Sequence, residues 1–113
     1  MKNKSIVIPI LNNEYKVIVV WGTEKFLKKV AKDWNYGDLI VDKDDTRGKT
    51  YYKSDCQPII YLPRRPKTAT ELGTLAHEAA HAVSNIYKYI KEYETDTEIF
   101  AHSIGAVVRE TLL

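Results

Sequence analysis

Two histidines four residues apart, in the run His77-Glu78-Ala79-Ala80-His81, constrain this chain more than any other feature of its sequence. Residues at this spacing share one face of an α-helix, so a helix here lets both imidazoles converge on a single metal ion. Glu78 can then reach a water on that ion and take its proton, an arrangement typical of zinc-dependent hydrolysis of peptide bonds. The alternative is a helix that holds two histidines without a metal. The motif therefore predicts a helix with His77 and His81 as metal ligands and Glu78 as general base.

The composition is that of one ordinary globular domain covering residues 1–113. The net charge of +2 is too mild to indicate nucleic-acid binding, and no nucleic-acid partner is expected. The densest basic segment contains Arg64, Arg65 and Lys67 and lies among prolines, which indicates a loop. We interpret it as a solvated connector; the alternative is a site for phosphate or an acidic group.

The single cysteine, Cys56, excludes an internal disulfide and fits a reducing compartment, so a cytoplasmic protein is expected. We interpret Cys56 as a small buried apolar residue rather than a metal ligand or a reactive thiol. The apolar run at residues 6–11 contains Pro9 and is too short for a secretory signal. No stretch approaches membrane-spanning length, so no membrane association is expected.

The first half of the chain is rich in β-branched runs. Residues 6–11 and 15–21 flank Asn12-Asn13, a turn signal, and this predicts a β-hairpin. Further strands are predicted at residues 39–41, 50–53 and 58–62, the last two paired with each other, and a polar loop is predicted at residues 42–49.

Helices are predicted before and after these strands. Thr23 can cap a helix that runs to about Trp34 and that Gly37 ends. Thr68 and Glu71 match a capping box and begin the helix that carries the histidine pair. The small residues of this helix are expected to let it lie close to the sheet or to another helix; they are Gly73, Ala76 and Ala80.

A catalytic zinc usually has three protein ligands and one open position, so a third ligand must follow. The metzincin pattern is excluded, because Ser84 and Tyr87 stand where it needs a glycine and a histidine. A second capping-box match at Thr95 and Glu98 opens a helix to about Leu112. The candidates lie before or within this helix: Glu92, Glu94, Asp96, Glu98 and His102.

The histidine motif followed by a helix that begins Glu98-Ile99-Phe100-Ala101 resembles the gluzincins, a class of zinc peptidases. The likeness is to minimal gluzincins and to small phage or bacterial peptidases of the anti-repressor type. It implies an α+β, zincin-like fold with a small twisted sheet, a backing helix, an active-site helix and a C-terminal glutamate helix. It also implies a Zn²⁺ cofactor, Glu98 as third ligand, and a peptide or protein substrate that lies antiparallel along an edge strand. Residues 50–53 are the candidate for that strand.

Helix geometry leaves Glu98 and His102 open as the third ligand. In a plain antiparallel helix pair, His102 matches the height of His81 better than Glu98 does. Glu98 reaches that height if the first helix ends near Tyr87 and the connector runs back beside it. Glu98 can alternatively serve only its capping box. If Glu98 is the ligand, His102 on the same face can support a ligand or polarise the substrate carbonyl.

The sequence thus predicts a zinc metalloendopeptidase in which Glu78 takes the proton of a metal-bound water and passes it to the leaving amine. His102 or a tyrosine is expected to stabilise the oxyanion. Two alternatives remain: a zinc-stabilised interaction module without turnover, and a phage or mobile-element protein with a latent protease activity aimed at one partner. Glu78 argues against the module, because a structural zinc site does not need it.

Overall fold

The computed structural model describes residues 2–41, 47–53, 56–90 and 97–113. In chain order its elements are β1 (Lys4–Ile10), β2 (Tyr15–Trp21), α1 (Glu24–Asp33), β3 (Lys49–Lys53), β4 (Cys56–Leu62), α2 (Ala69–Ile90) and α3 (Thr97–Leu112). A β-rich first half and a helical second half confirm the predicted α+β class.

The four strands form one mixed sheet in the order β1-β2-β4-β3. β1 pairs antiparallel with β2, and β3 pairs antiparallel with β4, so both predicted strand pairs are confirmed. β2 and β4 are parallel neighbours at the centre. Among the described strands, β1 and β3 are therefore the two edges of the sheet.

The sheet lies between two helical layers. Val17, Val19 and Trp21 of β2 pack in the core on the side of α2 and α3. Ile18 and Val20, which alternate with them, pack in a second core on the side of α1. Burial of both faces explains why the central strands are near-continuous apolar runs rather than alternating ones.

The turn between β1 and β2 adopts a left-handed backbone conformation that asparagine tolerates. Leu11, Asn12 and Asn13 all have positive φ angles, of 52°, 57° and 69°. The left-handed region is enriched in asparagine because its short polar side chain can hydrogen-bond locally. The Asn12-Asn13 signal therefore marked the hairpin turn correctly.

α1 begins and ends where it was predicted, from the Thr23 cap to Asp33 with Trp34 as the C-cap, but the residue that ends it differs. Thr23 Oγ1 accepts a hydrogen bond from the backbone N–H of Phe26 (3.1 Å), which confirms the N-cap. The prediction that Gly37 ends the helix is wrong, because Asn35 already has a left-handed φ of 67°.

The predicted strand at residues 39–41 is not formed. Leu39 and Val41 pack against the core beside α1, whereas Ile40 between them is 89 % exposed. A short apolar run can thus pack against a core without strand pairing, and among the described residues these three pair with no strand. Residues 42–46 of the predicted loop lie outside the described part of the chain.

The capping box at the start of α2 is confirmed in both directions. The N–H of Glu71 donates to Thr68 Oγ1 (3.1 Å), and the N–H of Thr68 donates to Glu71 Oε1 (3.0 Å). Hydrogen bonds from the backbone of Thr68 and Lys67, and then from Arg64, lower the pKa of Glu71 to about 2. Thr95 of the second predicted capping box lies outside the described residues.

α2 and α3 run antiparallel. The Phe100 ring, near the start of α3, meets the Tyr87 ring near the end of α2 with centroids 5.3 Å apart. Thr111, at the other end of α3, lines a recess with Arg65, which precedes α2. α2 continues to Ile90, so it does not end near Tyr87.

None of the described helices is long and apolar enough to cross a membrane. Cys56 begins β4, and its side chain lies outside the described part of the structure. Its predicted burial therefore stays a prediction.

Candidate functional site

The two motif histidines stand one turn apart on α2 with their rings turned toward each other. The distance between His77 Nε2 and His81 Nε2 is 3.1 Å, and the ring centroids are 4.6 Å apart. Two nitrogens bound to one tetrahedral zinc at about 2.0–2.1 Å would lie about 3.3 Å apart. The observed separation fits a pair of ligands that share one ion.

A hydrogen bond between neutral rings would also give this separation. Both histidines are exposed, so water competes for such a bond and it adds little stability. The 3.1 Å separation therefore fits a ring–ring hydrogen bond as well as a shared ion.

Glu78 lies beside this pair but points toward the sheet. The carboxylate is almost buried, with the residue 9 % exposed, and Thr50 Oγ1 lies 2.8 Å from Glu78 Oε1. The same hydroxyl lies 3.1 Å from the backbone O of Glu78, and its single proton serves one of the two acceptors at a time. The other carboxylate oxygen, Oε2, lies 3.9 Å from His77 Nε2. One oxygen thus contacts Thr50 of β3 while the other lies on the side of His77.

Thr50 belongs to the edge strand that the sequence singled out. In the part of the chain that the structure describes, β3 pairs with β4 on one side and with no strand on the other. Tyr51 packs against the core beside α1, whereas its neighbour Tyr52 is 55 % exposed. An open strand edge therefore lies next to the Glu78 carboxylate.

An open cleft of about 500 Å³ lies beside His77 and Glu78. Its remaining walls come from the two residues before β3 and from earlier turns of α2: Arg47, Gly48, Thr70, Gly73 and Thr74. The expectation that Gly73 allows close packing is wrong, because a Cβ placed there meets no atom within 4 Å. Gly73 instead leaves the cleft open one turn before His77.

Glu98 and His102 both lie on α3 and are exposed. Phe100, between them, stands opposite Tyr87, which is six residues past His81 or about 9 Å along α2. By the same rise, the level of His102 is about 6 Å and that of Glu98 about 12 Å beyond His81. Within the described residues, no three His, Cys, Asp or Glu side chains form a group that could hold a metal.

The third ligand consequently stays a prediction. The other acidic candidates, Glu92, Glu94 and Asp96, fall in the segment 91–96 outside the described residues. Arg109 continues the face of Glu98 and His102 and contacts Glu110, its chain neighbour (3.4 Å).

Two parts of this site were missed by sequence reasoning. Thr50 gave no local signal, because its contact with Glu78 joins residues 28 positions apart. Part of the cleft wall could have been predicted, since Gly73 and Thr70 stand four and seven residues before His77 and so share its helical face.

Comparisons of the chain with protein-family models, with curated proteins and with solved structures gave no significant match.

Proposed function

We propose that this protein is a zinc-dependent metalloendopeptidase whose reacting centre is His77, Glu78 and His81. The observation that carries the proposal is the convergence of the two imidazole Nε2 atoms to 3.1 Å beside the Glu78 carboxylate, whose Oε2 lies 3.9 Å from His77 Nε2. A structural zinc site needs converging ligands such as the histidine pair, but it does not need a neighbouring carboxylate that is not a ligand.

The order and layering of the elements support a zincin-like fold. α1 corresponds to the backing helix, α2 to the active-site helix and α3 to the glutamate helix of that fold. The sheet lies between α1 and the other two helices, with an antiparallel strand, β3, at the edge nearest the motif. These features are shared with other small α+β domains, so they support the proposal only together with the motif.

The roles of the chain's residues follow from their positions. His77 and His81 would hold the zinc, which when bound acts as a Lewis acid and lowers the pKa of a coordinated water. Glu78 accepts the proton of the attacking water through its free oxygen and then gives it to the leaving amine. Thr50 donates to the other oxygen and so keeps the carboxylate in one orientation.

The open edge of β3 supports a peptide substrate. An extended peptide can add to an uncovered strand through backbone hydrogen bonds, and these act regardless of side-chain identity. The cleft beside His77 leaves room for one or more substrate side chains. Together these features favour cleavage within an extended segment of a protein.

Glu98 is proposed as the third ligand, with His102 as its competitor. If Glu98 is the ligand, Glu98→Ala should weaken zinc binding by more than about 100-fold, and His102→Ala by about 10–100-fold as for a supporting residue. Competitive zinc titration measures both affinities. Glu110→Ala, which removes another carboxylate from α3, should leave zinc affinity unchanged. The reverse order of the two losses would assign the ligand role to His102.

Removal of the metal tests the activity itself. The purified protein should contain one zinc per chain and should cleave a casein-type substrate. Dialysis against a chelator should lower cleavage by about 100-fold or more, and one equivalent of zinc should restore it. One equivalent of bound zinc without hydrolysis of any peptide would overturn the peptidase proposal in favour of a zinc-stabilised interaction module.

A further inference from the structure

Two groups of basic residues lie at the same end of the sheet, one at the start of β1 and the other in the loop after β4. The pairing register places Lys4 of β1 beside Trp21, and Trp21 beside Leu62 at the end of β4. The loop that contains Arg64, Arg65 and Lys67 follows Leu62 directly. The amino-terminal lysines and this loop therefore share one surface.

This surface is concave. A recess of about 410 Å³, here called the basic recess, is lined by Lys2, Trp21, Arg64, Arg65 and Lys67. A second recess of about 240 Å³ adjoins it, shares Lys2, Trp21 and Arg65, and adds Lys4. Five cationic side chains thus surround one nearly buried indole, since Trp21 is 7 % exposed.

Most of these charges lack a carboxylate partner. Arg64 is paired with Glu71 of the capping box. Among the residues that the structure describes, Lys2, Lys4, Arg65 and Lys67 are in no ion pair, and no acidic side chain lines either recess. Three of these unpaired cations, Lys2, Arg65 and Lys67, line the basic recess; they repel one another, and an acidic ligand would relieve that repulsion.

The lysines of α1, the other basic surface, are more often paired with carboxylates than the cations around the basic recess are. Four exposed lysines also lie on α1, but Lys28 is paired with Glu24 and Lys32 with Asp38. The positive charge of the basic recess is therefore less neutralised than that of the other basic surface.

The basic recess lies within a short distance of the proposed reacting centre. Lys67 borders the recess, and Thr70 and Gly73 on the next turns of α2 border the cleft that reaches His77. From the start of α2 at Ala69 to His77 is eight residues, or about 12 Å of helix. An extended peptide covers this distance with about four residues, and side-chain length adds one or two. Arg47 adds a further cation at the cleft itself.

We propose that the substrate of this protein is an acidic protein segment, with aspartate or glutamate side chains about four to six residues from the scissile bond that bind the basic recess. The position of the scissile bond rests on the proposed peptidase function, whereas binding of the acidic segment does not. Arg65 supplies a guanidinium that can hold a carboxylate through two hydrogen bonds. The other cations are exposed, so their attraction is long-range and sensitive to salt.

An acidic peptide fits this recess better than a nucleic acid does. Single-stranded nucleic acids bind through aromatic rings on which bases stack, and Trp21 is too buried to offer a face. The recess is also small and local rather than a stripe along the molecule.

Fluorescence anisotropy on the whole protein, with chelator present to prevent turnover, tests the binding directly. The probe is a labelled peptide with a run of glutamates, and its control is the same peptide with glutamines. Arg65→Glu/Lys67→Glu should weaken binding of the acidic peptide about tenfold or more. Lys25→Glu/Lys29→Glu on α1 makes the same change in net charge and should weaken it less than about threefold.

A second double variant tests the same surface without changing residues that contact the Thr68–Glu71 capping box. Lys2→Glu/Lys4→Glu approaches the same surface from β1, leaves Glu71 untouched, and should also weaken binding about tenfold. Equal losses in the α1 control and the recess variants, or equal affinity for the glutamine peptide, would overturn the proposal. Tighter binding of a single-stranded oligonucleotide than of the acidic peptide would also overturn it.

The two proposals can fail separately. Acid-selective binding at the recess in a protein that never cleaves peptides supports the recess and rejects the peptidase. Zinc-dependent cleavage at a rate that does not depend on acidic residues in the substrate would reject the proposal for the basic recess and support the peptidase proposal.

Discussion

Replacement of Glu78 with glutamine should lower peptide hydrolysis by about two to four orders of magnitude while zinc stays at one per chain. Glutamine keeps the size of the side chain and an oxygen that can accept from Thr50 Oγ1, so the contact with β3 survives. It removes the basic carboxylate oxygen on the side of His77. The loss should therefore appear in kcat with little change in KM, because the affected proton transfer occurs in the transition state.

Zinc content, thermal stability and steady-state cleavage of one peptide are the three measurements needed. Glu110→Gln is the matched control, since it makes the same chemical change at a surface residue of α3 and should leave turnover unaffected. Equal cleavage by the wild type and Glu78→Gln would mean that the general base is wrongly assigned or that the activity comes from a contaminant.

The second large effect is expected from His77→Ala/His81→Ala, which should abolish stoichiometric zinc binding and with it all zinc-dependent cleavage. Both rings are exposed, and alanine is the better helix former, so the metal-free variant should stay within about 0.5 kcal/mol of the metal-free wild type. Zinc at 100 times its dissociation constant stabilises a protein by about 2.7 kcal/mol, which is on the order of 10 °C in Tm for a domain of this size. The wild type should show this shift and the double variant should not.

Thermal melts with and without zinc, beside elemental analysis, separate the loss of a ligand pair from a loss of fold. Lys88→Ala in the last turn of α2 is a control that should keep the full zinc-dependent shift. Equimolar zinc in the double variant would reject the metal site altogether.

Local features of this fold followed from the sequence alone. The hairpin turn at Asn12-Asn13, the Thr23 cap and the Thr68–Glu71 capping box all involve residues within four positions of each other. Covalent geometry brings such residues together whenever the local conformation forms. The convergence of His77 and His81 belongs to the same class, because a single helical turn is enough to produce it.

Errors arose where a local pattern had more than one tertiary explanation. The apolar run at residues 39–41 packs beside α1 and does not form a strand, because strand formation also requires a partner's hydrogen bonds. The small side chain of Gly73 serves an open cleft rather than a close contact. The same residue type fits both situations, so sequence could not choose between them.

The sequence by itself determined that His77 and His81 converge on one side of α2 with Glu78 beside them, because their spacing along one helix sets their mutual geometry. Only the tertiary structure decided what surrounds them. The Thr50–Glu78 contact and the junction of Lys2 with Arg65 depend on strand order and register. Those are outcomes of core packing between residues far apart in the chain, and no short-range pattern encodes which surface residues such packing brings together.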